Sequence, residues 1–310
     1  DFTYFEGNAQ AFRLLKKLQY TRDEHSINLS FPVLATIIKY PHSSTSGNKK
    51  DMGVSYKKFG YFQSEFESFD VIVNSLGMKI NNKVRRHPLV FLLEAADDIA
   101  YSVADIEDGC KKGLITLEVL KKKMYRYLDS SNPSEYEILS TLENINVDPN
   151  YPQPLEVIAS IFRIKIQNFM IDASIKAFIN NHDKILSGDF DMDLLDLSEA
   201  EGLKKAFKEL GEILYNCKEV LKLELTGDKI ITVLLEEFTK AITSPKRSRK
   251  GSKEEKLYNL ISSNYRFLME KYSDSENKLY NELRLITDFI CGMTDSYALD
   301  LYRSITAINI

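Results

Sequence analysis

Apolar residues recur every three or four positions along most of the chain. The runs GNAQAFRLLKKL, FPVLATIIKY, LEVIASIFRIKIQNFMIDASIKAFI and LYNELRLITDFICGMTDSYALDLYRSI all carry this spacing, which a 3.6-residue helix gathers into one stripe. Alternating strand patterns are scarce. HSINLSFP, SSNPSE and DPNYPQP interrupt the periodicity with the small polar residues and prolines that begin and end helices. The pattern predicts an all-α protein, with one long helix starting near Leu155. Two polar stretches, PHSSTSGNKKDMG and SPKRSRKGSKEEK, can bury little surface and are expected to be mobile loops. No internal repeat is evident.

One predicted helix carries an unusual face. In EAADDIAYSVADIEDG, Asp97, Tyr101 and Asp105 fall four residues apart, so a carboxylate, a phenol and a second carboxylate lie one turn above another. The preceding PLVFLLEAA suggests a helix buried around much of its circumference. A carboxylate removed from water must be paired, hydrogen-bonded or bound to a metal. Spacing alone leaves two readings open, a functional carboxylate stripe and a solvated helix face.

Composition narrows the class without choosing between them. The 310 residues allow one large domain or two ordinary ones, and 44% hydrophobic with 28% charged residues is the balance of a soluble globular chain. Apolar runs such as IITVLL are too short to cross a bilayer. A net charge of −4 argues against a protein coated in nucleic acid. Cys110, Cys217 and Cys291 are odd in number and widely spaced, which suits reduced thiols in a cytoplasm and lacks metal-ligand spacing. The chain opens on Asp1 and runs straight into FTYFEGNAQAF, so it reads as the remainder of a longer one.

Other motifs carry less. His182 and Asp183 form an HD dipeptide, but FINNHDKILSG supplies no further ligands. DFDMDLLD has the alternating aspartates of a calcium loop without its glycine and final glutamate, and reads as a helix-capping loop. Lys246, Arg247, Arg249, Lys250 and Lys253 could attract phosphate or nucleic acid, yet no aromatic residue lies among them to stack bases. Lys39 and Tyr40 end an apolar helix just before Pro41. That position suits either the mouth of a pocket or a plain helix C-terminus.

Five blocks in order, FEGNAQAFRLL, LATIIKYP, KKFGYFQSE, RHPLVFLLEAADDIAYSVADIEDG and GMTDSYALDLYR, resemble the deoxyguanosine triphosphate triphosphohydrolase family of HD-domain enzymes. The resemblance implies a multi-helix HD-type globule with a C-terminal helical extension. On that basis residues 1–178 would be the C-terminal part of the catalytic helical core, and residues 179–310 a helical region packed on it. It also implies cleavage of a dNTP, dGTP by family name, to the deoxynucleoside and inorganic triphosphate with a divalent metal such as Mg or Mn. Asp97 matches the last metal ligand of the family's H…HD…D set. Tyr101 matches the tyrosine packed on the deoxyribose, and Asp105 the carboxylate that receives the 3′-hydroxyl. Lys39, Tyr40 and Lys58 match triphosphate contacts, and Asn8 lies near them. The first histidine, the HD pair and the catalytic histidine segment would precede FEGNAQ, so no catalytic residue is expected within this chain and the 310 residues alone should be inactive. A homo-oligomer, commonly a hexamer, and a nucleic-acid effector are further implications. The rival reading is a non-catalytic dNTP sensor or nucleic-acid-binding protein on the same scaffold.

Overall fold

The computed structural model describes residues 2–19, 26–46, 53–145, 154–272 and 277–308. The chain is all-α apart from a minimal hairpin. In order it forms α1 (Gly7–Arg13), α2 (Phe31–Ile37), α3 (Phe66–Ser75), β1 (Lys79–Ile80), β2 (Lys83–Val84), α4 (Leu89–Lys111), α5 (Leu117–Tyr127), α6 (Pro133–Asn144) and α7 (Pro154–Asn180). There follow α8 (His182–Leu186), α9 (Glu201–Tyr215), α10 (Lys218–Thr243), α11 (Lys253–Leu260), α12 (Ser263–Tyr272), α13 (Lys278–Cys291) and α14 (Asp295–Thr306).

Several helices begin where a short polar side chain can take an otherwise unpaired backbone N–H. Thr116 accepts from Val119 N, Asn132 from Ser134 N, Ser252 from Glu255 N and Thr294 from Tyr297 N. The break SSNPSE thus becomes the cap of α6, with Pro133 at its first turn, where its missing N–H costs nothing. The sequence KINNKV makes the hairpin, with Asn81 and Asn82 both at positive φ, 49° and 61°, as a tight two-residue turn requires.

Two compact units divide the chain. The first comprises residues 1–12 and 30–220. Its main core joins Ile99, Val103 and Ile106 of α4 to Phe162, Ile166 and Met170 of α7 and to Leu203, Phe207 and Leu210 of α9. Glycine allows the tightest of these approaches: a Cβ on Gly109 would stand 2.5 Å from a methyl of Leu214. Glu107 fastens α4 to α7, accepting from Ser160 Oγ at 2.7 Å and pairing with Arg163 Nε at 2.7 Å.

The second unit comprises residues 13–29 and 221–310. Leu234, Phe238, Leu285, Ile286 and Phe289 fill its core, where the Phe238 and Phe289 rings meet edge to face at 5.3 Å. Asp288 is buried there and receives Arg13 through Nε at 2.8 Å and Nη2 at 2.6 Å. The stretch SPKRSRKGSKEEK, expected to be mobile, instead forms a short 3-10 turn over Pro245–Ser248 and the start of α11. Arg247 anchors it by donating to Ile242 O and pairing with Glu282. Much of PHSSTSGNKKDMG, and DPNYPQP apart from Pro154, lie outside the described residues.

Candidate functional site

The stripe anticipated from the sequence lies on α4, but on a more open surface than its apolar approach suggested. The helix buries Phe91, Ala95, Ile99, Val103, Ile106 and Cys110 along one side only. On the other side Tyr101 is 62% exposed and the Asp97 side chain 64% exposed. Water reaches both groups, and their partners decide what the face can do.

Asp97 receives the Lys39 ammonium at 2.6 Å. Lys39 stands just beyond α2, and the buried Arg86 fixes that turn by donating Nε to Lys39 O at 2.7 Å. Arg86 also pairs with Glu94 at 2.7 Å and lies over the Phe91 ring, 5.1 Å from its centre. Gly60 of KKFGYF packs against the same turn. A Cβ there would stand 2.1 Å from Tyr40 O, so only glycine permits the approach. Burial of the Tyr40 phenol, reinforced by the Glu94 carboxylate and partly offset by Arg86, pushes its pKa up to about 12. Tyr40 is accordingly a neutral hydrogen-bonding group at physiological pH.

Asn8 and Lys58 meet on Glu6, which is itself buried. Asn8 donates its backbone N at 3.2 Å and its Nδ2 at 2.6 Å to one carboxylate oxygen, and Lys58 pairs with the other at 3.2 Å. The Glu6 charge is close enough to add to the upward shift of Tyr40. Lys57, beside Lys58, is also exposed.

Between α4 and α9 lies a cavity of about 700 Å³. From α4 it takes Asp97, Tyr101 and Asp105, and from α9 Lys204, Lys208 and Tyr215. Tyr215 donates its hydroxyl to Asp105 at 2.5 Å. Burial and the bond to Asp105 hold that phenol well above its ordinary pKa, so it remains a donor. Lys204 reaches Asp193 at 2.5 Å, Asp196 at 2.9 Å and Asp98 at 3.6 Å. Burial works against its charge but is outweighed by the bonds to Asp193 and Asp196, and its pKa is raised. Burial also raises Asp98, against the pull of Lys204. The volume is that of a small-molecule pocket, and its lining couples cations to hydroxyl and carboxylate groups. Such a lining can hold a ligand that is anionic at one end and hydroxylated at another.

Neither α9 nor Glu6 and Arg86 figured among the residues singled out from sequence. The lysines of GLKKAFKELGEILY offered a signal, being spaced so that Lys204 and Lys208 share a face. Tyr215 and Glu6 offered none, because each acts through a partner distant in the chain. DFDMDLLD, expected to cap a helix, gives no side-chain cap to the 3-10 turn Leu195–Leu197 or to α9; Asp193 accepts from Leu195 N, and Asp191 accepts from Ser55 N at 2.9 Å. His182 lies at the start of α8 with its ring 3.3 Å from Asp183 and both side chains exposed.

Among the described residues, no group of three His, Cys, Asp or Glu side chains lies close enough together to hold a metal ion. Asp97 offers carboxylate oxygens, with a lysine already on one of them. The residues described do not by themselves form a metal centre.

Residues 198–304 match the phosphohydrolase-associated domain. Over its whole length the chain is 37% identical to a deoxyguanosinetriphosphate triphosphohydrolase-like protein of Listeria monocytogenes, of which it covers 66%. It is 29% identical to one so named from Synechocystis, covering 67% of that protein. It is also 28% identical to the deoxyguanosinetriphosphate triphosphohydrolase of Yersinia pestis, covering 64%. An all-α scaffold with this associated domain defines the phosphohydrolase class of helical proteins. Within that class, the chain belongs to the deoxyguanosinetriphosphate triphosphohydrolase family. It spans 66% of the length of the Listeria relative.

Proposed function

We propose that the protein of which this chain is part hydrolyses dGTP, or dNTPs generally, to deoxynucleoside and inorganic triphosphate. The observation that carries this reading is the single cavity shared by Asp97, Tyr101 and Asp105 at one-turn intervals. It gives a carboxylate for a metal edge, an aromatic ring for a sugar and a carboxylate for a sugar hydroxyl along one line. Lys39 beside Asp97, with Tyr40, Lys58 and Asn8 behind it, supplies cationic and hydrogen-bonding groups suited to a triphosphate. Asp97 would contribute one ligand to a divalent ion, Mg or Mn, and the others would come from sequence outside these 310 residues. The relatives are longer than this chain, which supports that division. On this reading residues 1–178 belong to the catalytic core and residues 179–310 to its helical extension. The protein works in the cytoplasm, in keeping with its free thiols, and assembles as a homo-oligomer, commonly a hexamer. Among the described residues no helix is long and apolar enough to cross a membrane.

The rival reading is a dNTP sensor without catalysis, or a nucleic-acid-binding protein on the same scaffold. A nucleic-acid effector could act on either. The test is made in the full-length protein, with metal content and triphosphate release measured for Asp97→Ala and Asp98→Ala. Asp97→Ala should lose both metal and hydrolysis, and Asp98→Ala should keep most of its metal. Equal metal content in wild type and Asp97→Ala would overturn the ligand assignment, and nucleotide binding without triphosphate release in the wild type would favour the sensor. The 310-residue chain on its own should release no triphosphate above background.

A further inference from the structure

We propose that the outer face of α7 is a two-fold interface with a second copy of this chain, centred on Asn168. This deepens the homo-oligomer reading by naming a surface, and it does not depend on the catalytic assignment.

Helix α7 is apolar on two opposite sides. Its inner side buries Phe162, Ile166, Met170, Ala173 and Ala177. Its outer side carries Ile161, Ile164, Ile171, Ile175 and Ile179, which are 44%, 53%, 40%, 46% and 65% exposed. Isolated exposed apolar residues are ordinary, but five isoleucines in one row on one helix are not. A helix apolar all round is normally covered on both sides.

The spacing of the row identifies the cover. From Ile161 the positions run 161, 164, 168, 171 and 175, alternating steps of three and four as in a helix that packs along another helix. Asn168 is the one polar residue in that register. Counted from it, Ile161 and Ile175 lie seven residues to either side, and Ile164 and Ile171 lie four before and three after. The row is therefore nearly unchanged when reversed about Asn168, which is the condition for matching an antiparallel copy of itself. Asn168 would meet its own counterpart on the dyad, where a single polar pair fixes register.

Charge fits the same arrangement. Lys165 and Lys176 are neutralised within the chain by Glu137 and Glu199, so no bare cations oppose each other across the dyad. Asp172 lies four residues after the centre and Lys165 three before it, so between antiparallel copies Asp172 comes to a lysine that already holds Glu137 and joins that pair. From Ile161 to Ile179 the helix is about 27 Å long, and half its circumference over that length is roughly 450 Å². With Lys165, Asn168, Asp172 and Lys176 included, that is about half of the roughly 800 Å² each partner buries in a standard interface, so neighbouring surface contributes the rest. Leu197 lies beside this surface, next to the Glu199 that holds Lys176, and is itself 44% exposed.

The test uses charge on the dyad of the full-length protein. Asn168→Lys and Asn168→Glu should each lower the mass measured by light scattering at least twofold, with helix content by circular dichroism unchanged. Mixing the two variants should restore the wild-type mass, because only a residue that faces itself turns two repulsive pairs into one attractive pair. Ile171→Asp should also lower the mass. If all three variants keep the wild-type mass, a different segment or partner covers α7 and the inference fails, while the homo-oligomer reading stands if that mass is a multiple of the chain. Dissociation that mixing does not reverse would overturn the dyad.

Discussion

The hydrogen bond from Tyr215 to Asp105 makes the proposed sugar contact open to a quantitative test. Asp105 can accept from a substrate 3′-hydroxyl only if its carboxylate is held at a fixed orientation, and Tyr215 holds it from α9 at 2.5 Å. Tyr215→Phe removes that donor and leaves the ring. A hydrogen bond to a charged group contributes about 1.5–3 kcal/mol when shielded from water. Here Tyr215 is 42% exposed, and competing water reduces the expected loss to about 1 kcal/mol, or roughly a fivefold fall in kcat/KM. Asp105→Ala removes the acceptor itself and should cost about 1–3 kcal/mol, roughly five- to 150-fold, together with most discrimination against 3′-deoxy-dGTP. Because Tyr215 acts through Asp105, its substitution should cost almost nothing further once Asp105 is alanine. The assay is kcat/KM for dGTP and its 3′-deoxy analogue in wild type, both single variants and the double variant of the full-length protein. With the phenol held above its ordinary pKa, the wild-type to Tyr215→Phe ratio should stay flat from roughly pH 6 to 9. Equal losses from Tyr215→Phe with and without Asp105, or unchanged discrimination in Asp105→Ala, would refute the positioning argument.

Tyr101→Ala should relax rejection of GTP relative to dGTP, since removing the ring opens space for a 2′-hydroxyl. Competition kinetics read this directly, and an unchanged ratio would return the stripe to a structural face. Glu107→Gln should lower the melting temperature at neutral pH by the loss of about 1.5–3 kcal/mol of charged hydrogen bonding to α7. Burial opposes the Glu107 charge but is outweighed by Ser160, Lys111 and Arg163, so its folded pKa is depressed. The stabilisation is thus present above the ordinary carboxylate pKa and is lost as pH falls through the folded value, where wild type and variant should converge. Arg13→Ala should destabilise the second unit by about 1.5–3 kcal/mol, because Asp288 would lose the guanidinium that holds it from two nitrogens and keep Arg284 at 3.7 Å. A chemical-denaturation midpoint within error of wild type would contradict that account.

Local pattern carried the helices, because apolar periodicity and capping residues act within a few positions of one another. Asn132 is a cap that the break SSNPSE announces, whereas Thr116 and Ser252 cap α5 and α11 where no break was marked. The hairpin at Asn81 and Asn82 was not read, because two-residue strands are too short for alternation to show. Within the candidate site, the spacing of Asp97, Tyr101 and Asp105 was visible because one helix carries all three. Their partners were not. Lys39 comes from 58 residues away and Tyr215 from 110, and no local rule couples residues at those distances. The outer row of α7 was hidden for a different reason. Apolar residues on both sides of a helix read simply as a long hydrophobic run, and only the packed inner side separates core from surface.

Adjacent carboxylates on α4 end in unlike environments, and that difference bears on the proposed chemistry. Asp98 turns toward α9, where burial raises its pKa and Lys204 is shared with two further aspartates. Asp97, which lines the same cavity, holds Lys39 in an ion pair whose carboxylate is 64% exposed. The Lys39 side chain is 13% exposed, so water weakens the pair from the carboxylate side only. A triphosphate presents several negative charges where Asp97 presents one, and the Lys39 ammonium would move to it for that reason. That release would free the Asp97 oxygens at the moment a polyanion and its accompanying cation arrive. Lys204, by contrast, is braced by three carboxylates and would stay in place, keeping α9 and Tyr215 fixed against the α4 stripe.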